Sequence, residues 1–227
     1  MREIVFDTET TGFDPATGDR LVEIGCVELI NQIPTGATFH VYINPEREMS
    51  EGAFAVHGLS TEFLADKPRF AEVADAFLDF VGDARLIAHN AEFDIRFIDF
   101  ELTRLGRPAI GMGRAIDTLA LARRKHPGAA NSLDALCSRY GVDNSRRVKH
   151  GALTDAEILA EVYAELTGGR QSALLLSAEA EVARGEAAVT LRVRPRPLEP
   201  RITAEEAAAH DALLAAMGEK ALWRKYL

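Results

Sequence analysis

Apolar positions follow two different periods along this chain. Up to residue 43 they run continuously or alternate in twos: Ile4-Val5-Phe6, then Leu21, Val22, Ile24, Cys26, Val27, Leu29 and Ile30, then a third stretch from Ala37 to Ile43. Runs rich in β-branched and aromatic residues, bounded by Gly, Asn and Pro, predict strands over 2–8, 20–31 and 37–43, with 31–36 as a hairpin connection. Beyond residue 50 the period lengthens. Short helical pieces are expected around 50–56 and 61–64. Phe70, Val73, Phe77 and Val81 predict an amphipathic helix over 70–81. Leu86-Ile87-Ala88 predicts a buried strand over 85–89. Phe93, Phe97, Phe100 and Leu105 predict a helix over 92–105, ended by Gly106 and Pro108. Three more helices, 117–125, 132–140 and 154–166, open at Asp117, Ser132 and Thr154 as N-caps, with Gly141 and Gly168 at C-cap positions. Strands first, then a strand alternating with helices, give an α/β chain: a mixed sheet flanked by helices.

The pattern changes at Gly168-Gly169. Residues 171–184 are rich in Ala, Leu and Glu, and 189–193 alternate like a strand. Pro195, Pro197 and Pro200 then make an extended basic linker. Thr203 and Glu206 have capping-box spacing and open a helix to about Met217, followed by Gly218 and the terminal Leu222-Trp223-Arg224-Lys225-Tyr226-Leu227. A capped helix with an aromatic terminus, too short to bury itself, reads as a docking element that orders on binding. The organisation is a domain over 1–168, a linker over 169–202 and a tail over 203–227.

The chemistry starts at Asp7-Thr8-Glu9-Thr10-Thr11-Gly12, at the end of the first strand. Residues two apart share a strand face, so Asp7 and Glu9 point the same way. Paired carboxylates on a buried strand are costly without a cation, and all-oxygen ligation suits a hard divalent ion such as Mg²⁺ or Mn²⁺. Asp94 lies where the short strand turns into a helix, and His150 precedes the helix that carries Asp155. All sit at junctions where rigid elements present chemistry. Taken singly, each has a plainer reading. Asp94 and Asp155 suit helix starts, His150 beside Lys149 suits an exposed loop, and Phe93 suits the core. His89, ending a buried strand, suits a structural hydrogen bond.

As a set they resemble a known family. D-x-E-x-T-G near the N-terminus, N-x-x-F-D (Asn90 to Asp94) and H-x-x-x-x-D (His150 to Asp155) resemble the three signatures of DnaQ-like (DEDDh) 3′→5′ exonucleases, in order, across nearly all of 1–168. The branch most similar is that of the epsilon proofreading subunits of bacterial DNA polymerase III. That likeness extends through Val56-His57-Gly58-Leu59, Glu62-Phe63-Leu64, Asp66-Lys67-Pro68, Ala207-Ala208-Ala209-His210 and Leu222-Trp223-Arg224. The resemblance implies an RNase H-like fold and two-metal phosphodiester hydrolysis. Asp7 would bridge both ions, Glu9 and Asp155 hold one, and Asp94 engage the other largely through water. His150 would be the general base. Asp7, Glu9, Thr10, Val56, His57, Asn90, Phe93 and Asp155 would surround the terminal nucleotide of a single-stranded or frayed DNA 3′ end. Expected partners are the polymerase III alpha subunit through 203–227, a sliding clamp through the Q-x-x-L-x-L stretch Gln171–Leu176, and a small accessory subunit. The rivals are an exoribonuclease or repair exonuclease of the same superfamily and a structural subunit without turnover.

Charge qualifies this picture. The chain carries −9 overall; residues 1–169 hold 27 acidic and 17 basic side chains, residues 170–227 hold 8 and 9. An acidic domain binds phosphate backbones poorly by itself, so ions and a partner would have to bring DNA in. Arg123-Arg124-Lys125 and Arg146-Arg147-Lys149 are basic clusters that read as solvated surface, the second also as a phosphate guide beside His150. Cys26 and Cys137 fall in apolar patterns without ligand spacing and read as buried thiols. No apolar stretch reaches bilayer length and the first residues lead straight into a strand, so a cytoplasmic protein without membrane association is expected.

Overall fold

A computed structural model describes residues 1–147, 149–168 and 202–218. Residues up to 168 belong to one unit and a helix near the C-terminus to a second, and each is taken by itself. The first unit is built on a sheet of order β3-β2-β1-β4-β5. β1 (Arg2–Thr10), β2 (Leu21–Ile30) and β3 (Ile33–Tyr42) are antiparallel neighbours. β4 (Arg85–Ala88) and β5 (Ala115–Asp117) add parallel strands beyond β1. β1 is therefore central and covered on both faces, which is why Ile4-Val5-Phe6 is continuously apolar.

The helices divide between the two faces. α1 (Glu51–His57) and α2 (Thr61–Leu64) follow the hairpin strands, each capped by a serine, Ser50 or Ser60, whose hydroxyl accepts an amide of the first turn. α3 (Phe70–Val81) and α4 (Ala91–Arg104) pack Phe70, Phe77, Ile95, Phe97 and Leu102 against Ile4 and Phe6. α5 (Thr118–Lys125), α6 (Leu133–Tyr140) and α7 (Ala152–Leu166) pack Ala122, Leu136, Leu159 and Tyr163 against Val5 and Ile87. Each fully buried Phe or Leu contributes about 1.5–3 kcal/mol of apolar burial. Cys26 and Cys137 are buried free thiols in opposite cores, as expected, and burial pushes both pKa values up.

Three expectations need correcting. The hairpin connection is Asn31-Gln32 alone, both at positive φ (52° and 66°), the two-residue turn whose twist matches the flanking strands. β3 begins at Ile33 and runs through Pro34, tolerated because β3 is an edge strand. Pro34 and Gly36 disguise it, with a register slip opposite Val27–Leu29. Second, the residues before the helix expected from Asp117 form a strand, β5, whose three residues are too few to show a period. Third, α7 starts at Ala152, and its N-cap is Gly151 rather than Thr154.

In the second unit, α8 (Ala204–Met217) carries the expected Thr203/Glu206 capping box, and Gly218 follows at positive φ. The Gln171–Leu176 motif, the alternation at 189–193, Pro195, Pro197, Pro200 and Leu222-Trp223-Arg224 lie outside the described residues. Among the described residues no helix is long and apolar enough to cross a membrane.

Candidate active site

The site forms where β1 ends and two helices begin. Odd residues of β1 face α7: Val5 joins its core, and Glu3 Oε1 accepts from the Tyr163 hydroxyl at 2.9 Å. Asp7 and Glu9 continue that face. Gly25 of β2 opposes Asp7 in register, and a Cβ built there would lie 2.1 Å from the Leu153 nitrogen. The absence of a side chain at Gly25 lets the first turn of α7 lie on the strands and delivers Asp155 to the carboxylates of β1. Thr8 faces the other way. Its amide and hydroxyl both donate to Asp94 Oδ1, at 3.1 and 2.7 Å, and hold the first turn of α4 against the strand. The Arg20 guanidinium anchors the same helix through both oxygens of Glu101, at 2.5 and 3.0 Å.

Four carboxylates thus converge from three elements, and their protonation reflects it. Burial, then the charges of Asp94, Glu9 and Asp155, push Asp7 well above the usual carboxylate range. Glu9 is pushed up to about 8 by burial and by Glu23, Asp155 and Asp94. Asp94 is pushed up to about 7 by burial, against the opposing hydrogen bonds from Thr8. Asp155 is the exception: burial would raise it, but His150 and the Arg147 guanidinium packed against it outweigh that and hold it low. The Arg147 guanidinium forks onto Asp155, Nε to Oδ1 at 2.5 Å and Nη2 to Oδ2 at 2.7 Å. A buried acidic cluster of this kind demands cations.

His150 is exposed, with Nδ1 3.2 Å from Asp155 Oδ2, and its amide donates to the Val56 carbonyl at 3.4 Å. Ligand atoms of Glu9, His150 and Asp155 all lie within 4.8 Å of one another, a spacing that fits one divalent ion. His150 therefore stands among the potential ligands. A cleft of about 500 Å³ opens beside Glu9, lined by Thr10, Val56, His57 and Phe93 among others. His57 is buried, its Nε2 donating to the Thr10 carbonyl at 3.3 Å and Nδ1 accepting from the Leu59 amide at 3.0 Å. Burial lowers its pKa, so a neutral ring with both nitrogens engaged walls the cleft. Phe93 packs against the core, its ring tilted to that of Phe97 with centroids 5.0 Å apart, and also lines the cleft. Asn90 does not line it. It holds the left-handed N-cap of α4 (φ 72°), with its backbone N–H donating to Asp117 Oδ1 at 3.0 Å. His89 makes a structural contact, Nδ1 to the Thr118 hydroxyl at 2.9 Å.

A sequence profile of the RNase T exonuclease family matches residues 4–163. The chain belongs to this exonuclease family. It is 57% identical over 176 residues to the DNA polymerase III subunit epsilon of Rickettsia felis, covering 76% of this chain and 77% of the relative. It is 47% identical over 237 residues to the DNA polymerase III subunit epsilon of Escherichia coli K12, covering 98% and 97%. Among solved structures, exonuclease X in complex with 5′ overhanging duplex DNA is 26% identical with a TM-score of 0.57, over 73% of this chain and 90% of that one. The nuclease domain of 3′hExo, a DEDDh family member bound to rAMP, shares the fold at 17% identity and a TM-score of 0.62, over 73% and 91%. The mixed sheet and its helices are the RNase H-like fold of these exonucleases.

The sequence reading of this exonuclease passes over Glu23 and takes Arg147 for solvated surface or a phosphate guide. Arg147 is only 9% exposed at its side chain, not solvated surface. Glu23, buried in β2 and opposite Glu9, is a fifth carboxylate, with His40 Nε2 at 2.7 Å from its Oε1. An acid inside an apolar strand was its available signal; Arg147 had none beyond lying three residues before His150. Lys125 of the other basic cluster caps α7, its ammonium donating to the Glu165 and Leu166 carbonyls at 3.0 and 3.1 Å.

Proposed function

We propose that this chain is the proofreading subunit of a bacterial replicative DNA polymerase, removing mispaired nucleotides from a DNA 3′ end as 5′-monophosphates. The observation that carries this is the convergence of Asp7, Glu9, Asp94 and Asp155, with His150 beside Asp155, and a cleft that Glu9 lines. Similarity to polymerase III epsilon subunits along nearly the whole chain supports the polymerase assignment.

Asp7, Glu9, Asp94 and Asp155 would hold two divalent cations, Mg²⁺ or Mn²⁺; such ions supply the Lewis acidity that activates water and stabilises a departing 3′ oxygen. Phe93 and Val56 offer apolar surface to the terminal base, and Thr10 and the neutral His57 ring close the cleft wall, a surface that reads an unpaired end by stacking rather than by sequence. His150, tethered through its amide to Val56, would accept the proton of the attacking water as the bond from phosphorus to the 3′ oxygen breaks. Phosphate stays with the released nucleotide, and the shortened strand keeps a 3′ hydroxyl.

The tail 203–227 would bind the polymerase alpha subunit through the capped helix α8 and the residues that follow it. Gln171–Leu176 would contact the sliding clamp, and a small accessory subunit would complete the assembly in the cytoplasm. Binding to the polymerase offsets the acidic domain's weak attraction for DNA by raising local substrate concentration.

The test is release of mononucleotides from 3′-labelled single-stranded DNA with Mg²⁺, beside Asp7→Ala and His150→Ala. Stepwise loss from the 3′ end, reduced at least about 100-fold in each variant and abolished by chelator, is the expected result. No release by the unmodified chain with either Mg²⁺ or Mn²⁺ would leave the structural-subunit reading in its place.

A further inference from the structure

The groups best placed to bind a divalent ion already hold a cation of the protein's own. Arg147 uses Nε and Nη2 on both oxygens of Asp155, at 2.5 and 2.7 Å. Nη2 also lies 2.7 Å from His150 Nδ1. A guanidinium keeps its protons, so Nη2 donates and His150 Nδ1 must accept. Both Asp155 oxygens and one imidazole lone pair are therefore engaged. Asp155 and His150 are two of the three groups, with Glu9, whose ligand atoms lie within 4.8 Å of one another. The same lone pairs cannot serve Arg147 and a divalent ion together, and two cations at that spacing repel. The third contact of Arg147 differs. Nη1 is 2.8 Å from Oδ1 of Asp134, an exposed carboxylate on α6 that also accepts from the Asn144 amide at 3.1 Å. That bond asks nothing of the carboxylate cluster and can persist when the other two are given up. The residue lies in the connection between α6 and α7, where a side-chain swing displaces no regular element.

We propose that Arg147 is a positioning residue that neutralises and pre-orders Asp155 and His150 without metal, then yields them to the incoming divalent ion while pivoting on Asp134. The proposal rests on the metal-site reading above. It assigns Arg147 a place in the metal-loading equilibrium: the guanidinium keeps an acidic cluster from repelling itself apart, at the expense of metal affinity.

Mn²⁺ titration calorimetry on the full chain at neutral pH decides it, comparing the unmodified protein with Arg147→Gln and Arg147→Lys, alongside thermal unfolding with chelator and with saturating Mn²⁺. The proposal predicts roughly fivefold or greater tightening of Mn²⁺ binding in Arg147→Gln. It also predicts a lower unfolding midpoint in chelator and closure of that gap in saturating Mn²⁺. Arg147→Lys, which keeps the charge but loses the fork, falls between; if Arg147→Gln does not fold, tighter binding by Arg147→Lys decides. Equal or weaker Mn²⁺ binding by the folded variant, or a midpoint deficit that saturating Mn²⁺ leaves unchanged, makes Arg147 a fixed strut and overturns the proposal. Absence of Mn²⁺ binding in the unmodified chain would overturn the metal-site reading with it, whereas binding that Arg147→Gln leaves unaltered overturns this proposal alone.

Discussion

Thr8 directs both its amide and its hydroxyl at one oxygen of Asp94, and that pair of bonds favours the ionised carboxylate. Thr8→Val keeps the amide bond and the shape but loses the 2.7 Å hydroxyl contact. Asp94 is then held higher still, so the acid limb of the pH–rate profile moves to higher pH. Activity should fall about tenfold at pH 7 and recover towards pH 9, with a stability loss of about 1–2 kcal/mol in urea unfolding. An unshifted pH profile would dissociate Thr8 from the chemistry. At this scale the sequence was legible wherever chemistry leaves a spacing. Asp7 and Glu9 share a strand face, and Asp94, His150 and Asp155 lie at element junctions. Arg147 was not legible, because a loop arginine has the same letter whether it meets solvent or a buried carboxylate. Asn90 stands at the left-handed N-cap of α4, a conformation that Asn tolerates better than most side chains.

Among the elements, α7 depends most on a single absent side chain. A Cβ at Gly25 meets backbone atoms of Ala152 and Leu153 at 2.1–2.4 Å, and backbone cannot turn aside as a side-chain tip can. Gly25→Ala must push the first turn of α7 off the sheet and carry Asp155 away from Asp7. A destabilisation of at least about 2–3 kcal/mol is expected. Exonuclease activity should drop by roughly two orders of magnitude even where the variant remains folded. Unfolding and single-turnover measurements on one preparation check both; full activity would show that α7 is not positioned by this contact. The packing also explains the misplaced helix start. Thr154 looks like a cap in sequence, yet α7 begins two residues earlier at Ala152, where the bare backbone of Gly25 leaves room for its first turn. Periodicity found α3 to the residue because its apolar stripe is complete. It missed β5 and the start of β3, where three residues, or a Pro and a Gly in an edge strand, carry no period.

For the whole molecule, folding gathers charges that repel. Glu9 is held at about 8 and Asp94 at about 7, with Asp7 also raised. Unfolded carboxylates titrate near 4, so the metal-free fold binds more protons than the unfolded chain between those values. The stability tied to these three groups is complete below the unfolded pKa and is lost as pH rises through 7 and 8. Asp155 contributes oppositely, its lowered pKa adding stability above the unfolded value. In chelator the thermal midpoint should fall by roughly 5–10 °C between pH 5 and 8.5. Saturating Mg²⁺ should flatten that fall, because it favours the ionised carboxylates. A midpoint that rises across this window in chelator would contradict the electrostatic account.

The central claim is that four carboxylates from β1, α4 and α7 hold divalent ions against the end of a nucleic acid strand. Crystals soaked with Mn²⁺ and thymidine 5′-monophosphate, measured for manganese anomalous scattering, test it most directly. The account predicts anomalous peaks bounded by Asp7, Glu9, Asp94 and Asp155, with the nucleotide phosphate beside them and the base in the cleft of Val56 and Phe93. Nucleotide bound with no manganese among those carboxylates, or manganese only elsewhere, would contradict it.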